Sequence, residues 1–299
     1  MAFRTVEISE DGRHLAKYRG FMTVSYKGKE LGRIAIDELA AVIAAAHGLT
    51  YSNNLLIALA EQAVPFILCG PNYMPLAFLW TTQGHYEQGG RMSDQADASK
   101  PLRKTLWAQL VRAKVEGQIS TLTVLEKPSN QLKLLSKRIR SGDPDNIEAQ
   151  AARYYWPLLF GDNFRRDRFL TGTNSLLNYV YTVLRSGTAR SIMAAGLHPA
   201  LGLAHRQRTN GFALADDLME PFRPIADLLV YDLVSNGITE INRDTKKHLV
   251  SILSIDINGY NGISSIAICL QSLANSLVHC YAKESKVLKL PKGITAINN

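Results

Sequence analysis

The sequence predicts an α+β protein in which a small N-terminal β-rich domain precedes a larger, all-α C-terminal domain. Five strand-like runs lie before residue 90: 4–9, 20–26, 32–36, 63–69 and 74–80. Turn residues such as Asp11-Gly12 separate these runs. After residue 100, apolar residues recur three and four positions apart, as in 106–119 and 176–187. That period is typical of amphipathic helices.

The change of pattern places the domain boundary near residue 90. The polar passage 85–99 is interpreted as a linker, which makes 1–84 the β-rich domain and 100–299 the helical one. One helix is expected inside the first domain, with Ser52 as its N-cap. Because short strands bury little core alone, the first domain is expected to pair with its copy in a homodimer.

Composition excludes several classes of protein. The chain has 299 residues, of which 46% are hydrophobic and 20% are charged, a composition typical of a soluble globular protein. The apolar runs 39–46 and 55–60 are too short to span a bilayer, and the N-terminus lacks the apolar core of a secretory signal. The three cysteines have no metal-finger spacing, which favours buried thiols in a reducing cytoplasm.

The positive charge of the chain is concentrated in one segment. Between Lys100 and Arg140 there are ten basic residues and two acidic ones, so this segment carries a net +8, equal to that of the whole chain. A solvated helix face would explain it, but the concentration favours a surface that binds nucleic acid. Six candidates for phosphate contacts are Arg103, Lys104, Arg112, Lys114, Arg138 and Arg140.

The stretch 201–224, LGLAHRQRTNGFALADDLMEPFRP, is dense in charged groups. Asp217 and Glu220 are three residues apart, so on a helix their like charges repel, and either a cation neutralises them or they face water. Together with the His205 imidazole, such carboxylates suit Mg²⁺ or Mn²⁺, whereas the lack of clustered thiolates argues against zinc or iron–sulfur. Asp216 is interpreted as a helix N-cap. Arg223 is expected to form an ion pair with Glu220 rather than contact DNA phosphate.

A second acidic site lies in SGDPDNIEAQAARYYWPLLFG, 141–161. Asp145 and Glu148 match the spacing of a helix capping box, and local pattern alone favours that structural role for Glu148. The small residues after Glu148 would also leave room for a ligand. The local pattern leaves both interpretations open.

These motifs resemble those of a known family. The run GLHPALGLAHRQRTNGFALADDLMEPFRPIAD (196–227), the 141–161 stretch and KPLRKTLWAQLVRAKVEGQ (100–118) are similar to the universal CRISPR-associated spacer-acquisition integrase, in its type II variety. The similarity also includes GLTYSNNLLIALAEQAVPFILCGPNYMPLAFL in the first domain. The resemblance implies an N-terminal β domain and a C-terminal helical domain, in agreement with the pattern above.

The resemblance also implies which residues are functional. Glu148, His205 and Glu220 match the family's metal ligands and catalytic residues. Asp217 matches a further acidic position near the metal, where it would either support a ligand or be an alternate ligand itself. His205 could bind the metal or act as general acid or base. The implied cofactor is Mg²⁺ or Mn²⁺.

The activity implied is that of a metal-dependent DNA endonuclease and integrase. A DNA 3′-hydroxyl attacks a phosphodiester at the CRISPR leader–repeat boundary, so that a new spacer is inserted by transesterification. The implied partners are DNA, a second copy of the chain, and a dimer of the second CRISPR-associated protein in a heterohexamer. Two alternatives are a non-catalytic DNA-binding scaffold and a metal-dependent phosphodiesterase that acts on small substrates.

Overall fold

The structure of the protein, a computed structural model, describes residues 4–62, 64–70, 75–79, 87–205 and 207–293. Two four-stranded sheets form the N-terminal part and helices dominate the remainder, which confirms the α+β class. Within the described residues, no helix is long and apolar enough to cross a membrane.

The N-terminal strands form two sheets around one helix, α1 (Asn53–Glu61). Their bounds are β1 (Arg4–Ile8), β2 (Arg13–Tyr18), β3 (Phe21–Tyr26), β4 (Lys29–Ala35), β5 (Leu39–Ala44), β6 (Thr50–Tyr51), β7 (Phe66–Cys69) and β8 (Pro75–Phe78). One sheet has the order β1-β5-β7-β8, with β8 antiparallel and the others parallel. The other has the order β4-β3-β2-β6. Ser52 caps α1 as expected, since its Oγ accepts a hydrogen bond from Leu55 N at 3.3 Å.

Strands β2, β5 and β6 lie outside the predicted runs, and the longest buried run among them is that of β5. Its run of apolar residues lacks polar alternation because the strand is buried on both faces. Val42 and Ala44 pack in the small core between the two sheets, whereas Ala41 and Ile43 belong to the core of the helical region. Of the predicted strand runs, 63–69 and 74–80 coincide with β7 and β8, although residues 63, 74 and 80 lie outside the described residues.

Helices make up most of the remaining chain, and the helix Thr173–Ala194 is buried along most of its length. Their bounds are α2 (Gln88–Ala96), α3 (Lys100–Val124), α4 (Asn130–Ser136), α5 (Ile147–Phe160), α6 (Thr173–Ala194), α7 (Ala213–Met219), α8 (Arg223–Ser235), α9 (Arg243–Val250) and α10 (Ile266–Tyr281). A 3-10 turn, Glu220–Phe222, joins α7 to α8.

Two expectations about this region were wrong. The C-terminal part is not all helix, because β9 (Asp256–Gly259) and β10 (Gly262–Ser265) form an antiparallel hairpin before α10. The predicted linker contains α2, whose Gln95 is 3% exposed. The Gln95 amide donates to the carbonyls of His198 and Leu201 at 2.9 and 3.0 Å, which holds α2 against the loop at the start of the 201–224 stretch. The domain boundaries themselves stay a prediction.

All three cysteines are free: Cys269 and Cys280 are buried and Cys69 is half-buried. Burial raises the pKa of the Cys69 and Cys269 thiols to about 11. These thiols are therefore protonated and weakly nucleophilic near neutral pH.

Candidate active site

Helix α3 comes very close to the turn that joins α7 to α8. A Cβ on Gly117 would lie 3.0 Å from Pro224 Cγ, so a larger residue at this position would push the two elements apart. One turn further along α3, Thr121 Oγ1 donates to Pro224 O at 3.2 Å. Lys114 precedes Gly117 by three residues and so projects from the same face of α3. The close approach brings this lysine to Glu220.

The Lys114 ammonium lies between the two predicted acidic ligands. Lys114 Nζ is 2.6 Å from Glu148 Oε1 and 2.6 Å from Glu220 Oε2. The Lys114 side chain is 11% exposed, and those of Glu148 and Glu220 are 25% and 2% exposed. The structure thus brings Glu148, from α5, and Glu220, 72 positions later in the sequence, onto one shared cation.

Arg223 supplies a second positive charge to Glu220. Its Nη1 lies 3.2 Å from Glu220 Oε1, as the three-residue spacing predicted. Burial alone raises the pKa of Glu220, but Arg223 and then Lys114 outweigh burial and hold that pKa below its usual value. Burial likewise lowers the pKa of Lys114, while Glu220 and Glu148 more than offset it, so the Lys114 pKa lies above its usual value. Glu220, Lys114 and Arg223 are therefore charged at neutral pH.

The start of α5 orients Glu148 toward Lys114. Asp143 accepts hydrogen bonds from Ile147 N at 2.8 Å and Glu148 N at 3.0 Å, and Asn146 caps the helix in a left-handed conformation with φ 51°. Asp145 instead pairs with Arg140. The capping box that the local pattern favoured, Asp145 with Glu148, was therefore wrong. With the cap supplied by other residues, the Glu148 carboxylate is available to the site.

His205 is held by a buried carboxylate. Asp217 is 0% exposed, and its Oδ1 lies 2.6 Å from His205 Nδ1. The same carboxylate accepts from the backbone N–H groups of Leu203, Ala204 and His205 at 2.5, 3.1 and 3.3 Å. With both oxygens used in this way, the geometry favours support of His205 over direct ligation for Asp217.

The hydrogen bond to Asp217 sets the properties of the imidazole. It is the largest influence on the His205 pKa, and it outweighs burial so that the pKa is raised above its usual 6.5. Because Nδ1 is engaged, Nε2 is the ring nitrogen that can bind a cation or exchange a proton. Trp107 of α3 packs against the imidazole edge to face, with ring centroids 5.9 Å apart.

Gly202 allows the loop before His205 to fold tightly over Asp217. A Cβ at this position would lie 2.4 Å from His205 O and 2.9 Å from Asp217 Oδ2. The other side of the loop is fixed by Asp216, which accepts from Arg185 Nε at 2.7 Å and from Asn210 Nδ2 at 2.8 Å. Asp216 lies inside α7, whose N-cap is Phe212. The interpretation of Asp216 as an N-cap was therefore wrong.

A buried polar network packs against Arg223. The Arg223 guanidinium lies 4.9 Å from the Tyr181 ring centroid, and Arg166 lies 5.4 Å from the same ring. The Tyr181 hydroxyl donates to Asp227 Oδ1, and burial raises the pKa of Asp227 to about 6. Sequence patterns did not single out Tyr181 or Asp227, because a single polar residue among apolar ones on a helix gives no periodic signal of its own.

The six basic candidates divide between the surface and the interior. Lys104, Arg112, Arg138 and Arg140 are exposed and Arg103 is half-buried. Arg103 lines a cavity of about 460 Å³ beside His205, together with Arg208. Lys114 was grouped with them from the sequence, but its ammonium is enclosed by the two carboxylates rather than presented on the surface.

Comparison with known proteins identifies the family. The family model described as CRISPR associated protein Cas1 matches residues 6–253. The chain belongs to the Cas1 family. A relative from Neisseria meningitidis serogroup C, strain 8013, named CRISPR-associated endonuclease Cas1, is 33% identical over 98% of this chain and 97% of its own.

Solved structures share the fold of this Cas1-family chain at low sequence identity. A casposase bound to integration product has a TM-score of 0.81 and 16% identity, over 99% of this chain and 96% of that one. A Cas6-RT-Cas1–Cas2 complex has a TM-score of 0.76 and 17% identity, over 96% of this chain and 36% of that one.

The three predicted ligands of this Cas1-family chain are positioned in two groups. Glu148 and Glu220 share the Lys114 ammonium, whereas His205 is paired with Asp217. Across the described parts of the chain, no three His, Cys, Asp or Glu side chains are arranged to enclose a metal ion. Glu220 Oε2 is buried and makes no hydrogen bond of regular geometry, although the Lys114 ammonium lies beside it. This oxygen and Glu148 Oε1 are hard anionic donors directed at one cation, as a Mg²⁺ or Mn²⁺ site requires.

Proposed function

We propose that this chain is a metal-dependent DNA endonuclease and integrase that inserts short DNA fragments into a CRISPR array. One observation carries the proposal, namely that Glu148 and Glu220 converge on a single cation position. The name of the Neisseria relative and the fold shared with a casposase agree with it. The attacking group would be a DNA 3′-hydroxyl, so the chain needs no serine or cysteine nucleophile, and its three cysteines have raised pKa values.

The donor set fits a hard divalent cation. Glu148 and Glu220 would hold Mg²⁺ or Mn²⁺ through carboxylate oxygens, and His205 would add its Nε2. Such an ion, when bound, polarises a phosphodiester and stabilises negative charge on the leaving oxygen.

The protein's own groups would bind and orient the DNA around that site. Arg103 and Arg208, which line a cavity with His205, would bind a phosphate of the attacked strand. His205, with Nδ1 held by Asp217, can receive or return a proton at Nε2. Asp217 acts as a positioning residue, because it touches the imidazole and its loop rather than the substrate. Exposed basic residues between Lys100 and Arg140 would bind the DNA backbone independently of sequence.

Assembly with other chains belongs to the same proposal. The Cas6-RT-Cas1–Cas2 complex that shares this fold contains Cas2, so we infer a dimer of this chain that joins Cas2 in a heterohexamer. A solution mass equal to one chain at micromolar concentration would contradict the dimer.

The decisive experiment is strand transfer of a labelled duplex with 3′-hydroxyl ends into a plasmid that carries leader and repeat. It is run in Mg²⁺ or Mn²⁺, with and without Cas2. Glu220→Ala should lower strand transfer at least about 100-fold, the usual scale for loss of a group that stabilises transition-state charge. DNA binding should persist, since it depends on the basic surface.

The exposed Glu240→Ala serves as the matched control and should leave strand transfer unchanged. Full strand transfer by Glu220→Ala would remove Glu220 from the site and favour a DNA-binding scaffold. Turnover of nucleotides in the absence of DNA would favour the small-substrate phosphodiesterase.

A further inference from the structure

Lys114 has the position that a metal ion is expected to take. Its ammonium is 2.6 Å from an oxygen of Glu148 and 2.6 Å from an oxygen of Glu220, and the lysine side chain is only 11% exposed. A divalent ion that bridges these two oxygens would occupy the space that the ammonium now fills. The two cations therefore exclude each other from this position.

We propose that Lys114 is a built-in placeholder cation, which keeps Glu148 and Glu220 together in the metal-free protein and must be displaced when the divalent ion binds. The inference rests on the proposed metal site. Lys114 is a positioning residue in this role. It preorganises the two carboxylates and weakens the apparent affinity for the ion.

The charges of the site explain why a placeholder is needed. Glu148 and Glu220 carry two negative charges, and Lys114 and Arg223 balance them. Without Lys114, Glu220, which is 2% exposed, and Glu148 would share the positive charge of Arg223. A buried carboxylate whose charge is not fully balanced is costly. The acids would then repel each other and separate.

The exchange of cations also prepares the site for DNA. When a divalent ion replaces the ammonium, the ion and Arg223 exceed the two carboxylates by one positive charge. The displaced ammonium remains on α3, beside the site, and adds a second. A neutral site thus becomes cationic only when it is loaded, which favours a phosphodiester at that stage.

The experiment measures Mn²⁺ binding by calorimetry and melting temperature in EDTA for four full-length proteins: wild type, Lys114→Met, Lys114→Arg and the exposed control Lys133→Met. Lys114→Met should bind Mn²⁺ at least about tenfold more tightly, which corresponds to about 1.4 kcal/mol. Its melting temperature in EDTA should fall by at least about 4 °C, because the carboxylates lose their cation. Mn²⁺ should restore it. Lys114→Arg should stay closer to the wild type than Lys114→Met does in both measurements, and Lys133→Met should match the wild type.

A second measurement uses the unmodified protein and remains valid if Lys114→Met does not fold. Acetylation by acetic anhydride, quantified by mass spectrometry, should rise several-fold at Lys114 on addition of Mn²⁺ and stay constant at Lys133. Constant labelling at Lys114 with Mn²⁺ bound overturns the placeholder.

Glu220→Ala separates this inference from the proposed function. If Glu220→Ala loses Mn²⁺ binding while Lys114→Met binds no more tightly than the wild type, the metal site stands and the placeholder is wrong. If Glu220→Ala binds Mn²⁺ as the wild type does, or if neither the wild type nor Lys114→Met binds it, the metal site and the placeholder fail together.

Discussion

Replacement of Asp217 should unfold the His205 loop as well as change the imidazole. The carboxylate accepts three backbone N–H groups, from Leu203, Ala204 and His205, and contacts His205 Nδ1 at 2.6 Å. Each buried donor left without an acceptor costs about 1–3 kcal/mol, and Ala204 and His205 are near enough to solvent for water to satisfy part of the loss. Asp217→Ala should therefore destabilise the metal-free protein by about 3–5 kcal/mol.

Asp217→Asn separates the two roles of the residue. Its amide keeps the shape and one acceptor oxygen, so the loss of stability should be smaller, about 1–3 kcal/mol. The His205 pKa, which the hydrogen bond to Asp217 raises above 6.5, should fall back toward that value.

The assays are urea unfolding in EDTA and NMR titration of the imidazole, with the exposed Asp232→Ala as control. The control should change stability by less than about 0.5 kcal/mol, as is usual for surface sites. A loss below about 1 kcal/mol in Asp217→Ala, together with an unchanged His205 pKa in Asp217→Asn, would refute the support that we assign to Asp217.

Three further predictions test the buried network, the loop and the basic surface. Since burial raises the Asp227 pKa from 3.8 to about 6, the native state binds more protons than the unfolded state between those values, and stability should fall as pH rises through this window. Asp227→Asn, measured by urea unfolding at pH 4 and pH 7, should remove this loss of about 3 kcal/mol; an equal loss in the variant would exclude Asp227 as its source. Gly202→Ala places a Cβ 2.4 Å from a backbone carbonyl oxygen and should cost about 1–3 kcal/mol by the same assay, whereas Gly211→Ala faces open space and should be neutral. Charge reversal of Lys104 and Arg138 should lower the slope of log K for DNA binding against log salt by about 0.9 for each DNA phosphate that the protein no longer neutralises. An unchanged slope would mean that the basic segment between Lys100 and Arg140 is only a solvated helix face.

Local patterns in the sequence were sufficient wherever the interacting groups are close along the chain. Ser52 caps α1, and Glu220 pairs with Arg223 three residues later, as predicted. The α+β class also followed from local periodicity, because the positions of apolar residues on a strand or helix repeat every two or 3.6 residues. Such signals require no knowledge of what packs against the element.

The basic segment shows where that reasoning stops. Composition identified an excess of positive charge, yet Lys114 is enclosed by carboxylates, and Lys127 donates to the carbonyls of Leu158 and Leu159 at the end of α5. A charge count cannot distinguish a lysine in solvent from one that neutralises a distant acid. The outcome depends on which surfaces the helices bury.

The sequence by itself determined the residue types of the candidate site: acids, a histidine and cations nearby. Only the tertiary structure decided that Lys114 lies between Glu148 and Glu220, which follow it in the sequence by 34 and 106 residues. That contact exists because Gly117, about one turn after Lys114 on α3, lets the helix approach Pro224 within van der Waals distance. The approach brings the Lys114 ammonium to Glu220. The same is true of Asp217, whose support of His205 depends on a loop folding back over α7 rather than on spacing. Pairings between distant segments follow from packing, and packing is a property of the whole fold.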